Sequence, residues 1–351
     1  MLSMFGVLCR SPLGAVVIVL LLWRTTPAGA QEPRFFRIGA AATAGSFFEI
    51  GGVLAGAISK PADSLPCEEG GSCGVPGLVA VAEATQGSVD NLRMVASGQI
   101  ESGIAQSDVV SSAFAGTGVF ADGGPIKTLR AIASLFPESL HVVVRAAGPI
   151  QTLADMKGRH VSLGQSGSGT LADARIVLAA SGLTEQDLSA EYLRSGTAAA
   201  DLSDGSLEGF FLIGGVPIPA VRALAATNPI RLIPIPDDVL SKMQEKYGPY
   251  VRSVIPADTY LGVGVATSTI GFHALWIVSA DASGDLIFAI TKALWNEATQ
   301  RLLETHDPIG KDVRLEHALD GLSVPLHPGA IRFYRQAGLP VEDGGPPGKP
   351  E

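Results

Sequence analysis

Basic residues, cysteines and long apolar runs are all scarce in this chain, and each scarcity removes a class of function. Lysine and arginine number 25 against 34 aspartates and glutamates, a formal net charge of −9. No basic stripe is present to displace counterions, which excludes nucleic acid and anionic membrane surfaces as partners. A small anion is not excluded, because helix N-termini bind anions whatever the net charge. The most apolar run, 13–23, spans about 11 residues, whereas a bilayer-crossing helix needs about 20. The 6 histidines are scattered, with no His-Glu-x-x-His and no pair at helical spacing. His141, His160 and His273 lie in or beside apolar runs and read as structural, while His306, His317 and His327 sit near predicted loops and read as solvated. No Lys follows Gly169 as a phosphate-binding loop requires, and Gly167-Ser168-Gly169 lacks the spacing of a nucleophile elbow. An enzyme therefore has no candidate base to work with, and no metal or cofactor is expected.

Of the 3 cysteines, Cys9 lies in the first thirty residues. Those residues read as an export signal: Arg10 gives a positive start, the apolar run follows, and Ala28-Gly29-Ala30 is a small-residue cleavage site. The predicted leader is 1–30, removed after Ala30. The competing reading, an uncleaved anchor, suffers from the shortness of the run. Cys9 precedes that run, which argues against a lipid-anchored N-terminus. Cys67 and Cys73 remain, in the loop Cys-Glu-Glu-Gly-Gly-Ser-Cys. In an oxidising compartment they predict a local disulfide; a structural zinc would want four ligands, and no further Cys or His lies close.

Roughly 320 mature residues exceed what one core usually supports, so two lobes are expected. Short apolar runs alternate with amphipathic stretches. Strands are predicted over 36–41, 102–106, 129–135, 141–145, 160–163, 209–213 and 230–234. Helices are predicted over 46–59, 91–97, 108–115, 170–181, 216–226, 281–304 and 329–337, the second capped by Ser88. Thr152 and Thr184 each open a capping box. The end of the chain, 340–351, cannot bury enough apolar surface and reads as disordered. Strand–helix alternation implies parallel sheets, in which ligands bind beyond the carboxyl ends of strands.

Three strand-to-helix loops are rich in glycine and hydroxyls: Ala42-Thr43-Ala44-Gly45-Ser46, Gln106-Ser107-Asp108, and Gly164 through Thr170. Small residues there let a backbone approach a ligand, and each loop precedes a helix whose first N–H groups are free. One such loop is more often a plain helix cap. Three at the same sheet end favour a binding cleft.

These loops, in this order, resemble the TAXI family of extracytoplasmic solute receptors, which serve TRAP transporters. The resemblance runs from about Phe36 to Leu339. It is carried by IGAAATAGSFFEIGG at 38–52, CGVPGLVAVAEATQGSVDNLRMVASG at 73–98, GIAQSDV at 103–109 and LADMKGRHVSLGQSGSGT at 153–170. GFFLIGGVPIPAV at 209–221, IPADTY at 255–260 and HPGAIRFYRQAGL at 327–339 complete it. It implies a type II periplasmic-binding-protein fold: two α/β lobes joined by hinge strands, with a ligand cleft between them. Lobe one would be 36–142 with 273–339, and lobe two 143–272, the chain crossing near 142–145 and 265–272. It also implies a periplasmic receptor, not an enzyme, that hands a small organic anion to a membrane permease. Family ligands include carboxylates such as glutamate and 2-oxoglutarate. A sensory protein signalling to a membrane partner is the alternative, and a secreted enzyme the more distant one.

The expected ligand contacts are Thr43, Ser46, Phe47, Gln106 and Ser107 from lobe one, and Ser166, Ser168, Gly169 and Thr170 from lobe two. Gly215 would line the cleft, and Tyr260 would offer a hydroxyl near the return crossing. The hydroxyls and N–H groups of 168–170 would take the carboxylate, with Arg145 and Arg194 as alternative counter-charges. The family often has Tyr-Tyr where this chain has Phe47-Phe48. That departure favours a less polar carboxylate, with one of the two phenyl rings in the core.

Overall fold

A computed structural model of the chain describes residues 33–247, 250–306 and 308–341. The predicted leader, and the predicted disordered tail from residue 342 onward, lie outside the described residues.

The first lobe opens with β1 (Arg34–Gly39) and α1 (Ser46–Ile58), whose apolar side packs on the sheet. Two short strands, β2 (Ser59–Lys60) and β3 (Val75–Pro76), flank the loop that the Cys67–Cys73 disulfide closes, as expected. β4 (Leu78–Glu83), α2 (Ser88–Ala96), β5 (Ser102–Gln106) and α3 (Ser107–Ala115) follow. β6 (Leu129–Arg145) then leaves this lobe and enters the second.

The second lobe holds β7 (His160–Ser162), α4 (Gly169–Ala180), β8 (Ser189–Glu191), α5 (Ser195–Asp204) and β9 (Gly209–Gly214). After these come α6 (Pro219–Ala225), β10 (Ile230–Leu232), α7 (Asp237–Tyr247) and β11 (Val251–Ile255). β12 (Thr267–Ser279) returns to the first lobe, which α8 (Gly284–Leu294), α9 (Glu297–His306) and α10 (Pro328–Gln336) complete.

Both lobes share one plan. In the first, β4, β1 and β5 are parallel neighbours, β12 lies antiparallel beside β5, and β6 follows. In the second, β8, β7 and β9 are parallel neighbours, β6 lies antiparallel beside β9, and β10 follows. Each lobe thus reads second, first, third, visiting strand, fourth. Each crossing strand inserts into the sheet of the lobe it enters, so the two sheets are sewn together by backbone hydrogen bonds. The mixed α/β, two-lobed architecture is the one expected.

Several elements differ from the sequence reading. The strands predicted over 129–135 and 141–145 are one, β6. Pro137, which donates no N–H, is exposed and pairs with His273 just before the pairing with β12 shifts register at Leu135. The helix predicted over 281–304 is two. Asn296 breaks it by donating to Ala293 O and accepting from Thr299 N, which caps α9. The helix predicted from 216 begins only at Pro219, after a cis Val216–Pro217 bond; Pro219 takes the first turn, where a missing N–H costs nothing. Ser88 is the first residue of α2 rather than its cap, and its hydroxyl accepts from Gln106 N. His327 is buried, not solvated: it caps α10, its Nδ1 accepting from Gly329 N.

Candidate functional site

The carboxyl ends of both sheets face each other, so the helices that follow their strands aim their N-termini at a common gap. The starts of α1, α2, α4 and α5 line a cavity of about 60 Å³. Ser46, Ser88, Gly169 and Ser195 each represent one helix in its lining. A helix start carries unpaired N–H groups and a partial positive charge. At α1, α2 and α5 no side chain caps those groups, the capping positions being Gly45, Gly87 and Arg194. Only α4 is capped, by Ser168, whose Oγ accepts from Leu171 N at 3.0 Å. Among the described residues no charged or titratable side chain lines this cavity. Its walls are neutral polar groups and apolar ones, chiefly Phe47, Leu193, Phe211 and Leu212.

Glycines make the close approach feasible. Gly87 adopts φ 116°, and a Cβ there would sit 3.1 Å from Ser168 Cα across the gap. At Gly169 a Cβ would fall inside the Gln106 amide, so that position admits hydrogen alone. The lobes are drawn together by bonds that span them. Gln165 Nε2 donates to Gln86 O at 2.6 Å, Asp90 N to Gly167 O at 3.1 Å and Gly215 N to Ser46 Oγ at 3.0 Å. Gln106 Nε2 donates to Asp173 Oδ2 at 3.0 Å.

Beyond Gln106 lies a buried acidic cluster. Asp173 also accepts from the Tyr250 hydroxyl at 3.0 Å. Burial, and then the adjacent Asp108, hold the Asp173 carboxyl well above its usual range. Burial pushes Asp108 up to about 6. Glu138, on β6, is raised by burial and by the Asp108 charge, and neither of its oxygens has a partner. Carboxyls so placed are stable when protonated. None of the three lines the cavity.

Of the residues singled out in the sequence, the cavity brings together Ser46, Phe47, Gln106, Ser168, Gly169 and Thr170. Thr43, Ser107, Ser166, Gly215 and Tyr260 are not part of its lining. Thr43 and Ser166 point to solvent. Ser107 Oγ accepts from His273 N. Tyr260 is buried between lobe two's strands: its hydroxyl accepts from Ile218 N at 2.8 Å and reaches His141 Nε2 at 2.9 Å. Burial holds His141 down at about 4, so its ring is neutral, as a structural role requires. The Ser168 hydroxyl is spent on its own loop, donating to Gln165 O at 2.7 Å. Thr170 Oγ1 accepts from Ile213 N and keeps its proton to give. Phe47 packs edge-on against Phe136 while facing the cavity. Arg145 and Arg194 are absent from the lining.

Gln165 and Ser195 also line the cavity and are not among the contacts expected from the sequence. One signal was available: the triplet Ser-Gly-Thr of 168–170 recurs at 195–197, again just after a strand.

The chain matches the NMT1-like family over residues 38–338. Among solved structures it is similar to the periplasmic aliphatic sulphonate binding protein SsuA from Escherichia coli, with 16% identity, 87% of this chain and 84% of that one covered, and a TM-score of 0.42. The alkanesulfonate-binding protein SsuA from Xanthomonas axonopodis pv. citri, bound to MOPS, matches with 20% identity, 89% and 96% coverage and a TM-score of 0.46. A Streptococcus pneumoniae ABC uptake transporter substrate binding protein with bound histidine matches with 15% identity, 80% and 94% coverage and a TM-score of 0.44.

Proposed function

This chain belongs to the NMT1-like family, and from that premise we propose that it is an exported receptor of the TAXI type. It captures a small organic anion between its lobes and delivers it to a TRAP-type membrane permease. The leader 1–30 directs it to the periplasm and is removed after Ala30, and the lobes divide near 142 and 272. Among the described residues no helix is long and apolar enough to cross a membrane.

One observation carries the reading: helix N-termini from both lobes, three of them uncapped by any side chain, converge on one small cavity whose lining holds no charged group. A carboxylate there gains charge-assisted hydrogen bonds from backbone N–H groups. Because the donors come from two lobes, only the closed form offers them together. The ligand shifts the population toward closure by that difference in affinity, and the permease reads the closed form. The acidic cluster lies outside the cavity, so no acid–base pair faces a bound molecule.

Native mass spectrometry of protein taken from the periplasm should detect a small acid bound one to one. Released, it should rebind unchanged and raise the melting temperature, by about 2.7 kcal/mol of stabilisation at a hundred times its dissociation constant. Conversion of the acid by the purified protein would overturn the receptor reading.

A further inference from the structure

We propose that the ligand is a short-chain hydroxy acid, its carboxylate held at the helix N-termini with Ser195 and its hydroxyl given to Gln165. The proposal rests on the receptor reading and names the class of acid. It is carried by two polar atoms that folding leaves without a partner, Gln165 Oε1 and Ser195 Oγ. Each residue is only 7% exposed, and both line the cavity. Buried polar groups are normally satisfied, so these two await groups that arrive with the ligand.

The two atoms ask for different things. Gln165 Nε2 is committed to the carbonyls of Gln86 at 2.6 Å and Thr85 at 3.4 Å. Those two acceptors settle which end of the amide is which, leaving Oε1 as a pure acceptor. It pairs with an O–H or N–H and repels a carboxylate or ketone oxygen. Ser195 Oγ, on the first turn of α5, donates its proton to an oxygen beside that helix's free N–H groups. The ligand therefore needs an anionic end for Ser195 and a donor for Gln165.

The donor is a hydroxyl rather than an ammonium. No Asp or Glu lines the cavity, and the converging helix starts make its potential positive. An ammonium group would be stripped of water with no counter-charge. The chain is short, because the cavity is only about 60 Å³. Phe47, Phe211 and Leu212 accept its methyl end.

The test is calorimetry on the purified full-length mature protein with acids of one carbon skeleton: 2-hydroxy-, 3-hydroxy-, 2-oxo- and 2-aminobutanoate, and butanoate itself. At least one hydroxy acid should bind about tenfold or more tighter than butanoate, the oxo acid and the amino acid. Ser195→Ala should weaken every acid by a similar factor, about tenfold, and keep the hydroxy preference. Its melting temperature should match the parent's, since Ser195 Oγ holds no bond within the protein. If acids bind but the hydroxy forms have no advantage, the hydroxy-acid assignment fails while the receptor reading stands. A tightest amino acid overturns it likewise. If none of the acids binds and no acid co-purifies, the anion-receptor reading itself fails.

Discussion

The two lobes share a strand order but divide the labour at the cleft. In lobe one the buried polar side chains at the cleft are already paired: Ser46 Oγ with Gly215 N, Ser88 Oγ with Gln106 N, and Gln106 Nε2 with Asp173. In lobe two Gln165 Oε1 and Ser195 Oγ are unpaired. Lobe one spends its polar groups on the protein, and lobe two holds two in reserve. The cores differ as well. Lobe one has a single apolar cluster running from Phe36 to Tyr334, whereas lobe two has one cluster around Val142 and Phe211 and another around Val143 and Phe210. Successive β6 residues feed opposite faces of lobe two's thin sheet, which leaves that lobe dependent on the crossing strand for both of its cores.

If the lobes meet as tightly as the glycines indicate, Gly169→Ala should have the largest effect. Its Cβ would overlap the Gln106 amide, which Asp173 pins in place. Ligand affinity should fall about a hundredfold or more, with the circular dichroism spectrum unchanged. Gly196→Ala, on the neighbouring lobe-two helix, meets only ordinary contact with Ala44 at 3.5 Å and should change affinity less than about threefold. Equal effects at both positions would mean that the closed geometry is not the binding form.

The acidic cluster gives the comparison a pH axis. Asp108 belongs to lobe one and Asp173 to lobe two, with Glu138, the Tyr250 hydroxyl and the Gln106 amide as their neighbours. All three carboxyls are raised, so the closed fold holds protons that a more open or unfolded one releases. The stability they add is present at low pH and is lost as pH rises through about 6, where Asp108 ionises against Asp173. Between the ordinary carboxylate range and that point, affinity should fall by up to about tenfold per pH unit for one linked proton, and Asp108 adds no further fall once it is ionised in both forms. Asp108→Asn keeps an amide oxygen to accept from the protonated Asp173 and removes the Asp108 titration, so its profile should be flatter. A parent profile that is level between about pH 4 and 6 would refute the linkage.

Tyr260→Phe probes the crossing rather than the cleft. Removing the hydroxyl strands His141 Nε2 and Ile218 N in a buried site, at a cost of about 1–3 kcal/mol. Chemical denaturation should register that loss while calorimetry finds affinity within about twofold of the parent. A large loss of affinity would bring Tyr260 back into the site. The smallest effect is expected at Ser168→Ala, which deletes the α4 cap and lowers stability by about 1 kcal/mol. Affinity should hardly move, since that hydroxyl serves Gln165 O and Leu171 N.

Much of the fold was legible because period and punctuation are local. The apolar spacing of α1, the Gly-Ser run before α4 and the Thr152 and Thr184 capping boxes can each be read within a few residues, and each is present. The failures share a cause. Pro137 and the polar residues of 136–140 interrupt the apolar pattern of β6, yet strands on either side hold that stretch extended. α8 and α9 were read as one helix because their apolar spacing continues through Asn296, whose capping role depends on a turn that apolar spacing does not report. β2, β3, β4, β8, β11, α5 and α7 have no counterpart among the elements expected from the sequence.

The site divides in the same way. Ser46, Gln106 and Thr170 were visible as hydroxyl or amide residues in glycine-rich loops ahead of helices. Thr43 and Ser166, from the same loops, look identical in sequence and face solvent. By itself the sequence determined which glycine- and hydroxyl-rich loops lie between a strand and a helix, because those signals rest on torsion preferences and capping within a few residues. Which oxygen in those loops is consumed by the protein and which is left for a ligand was decided only when two lobes, more than a hundred residues apart in the chain, came into register. Hydrogen-bond satisfaction is a property of both partners, and no single loop contains both.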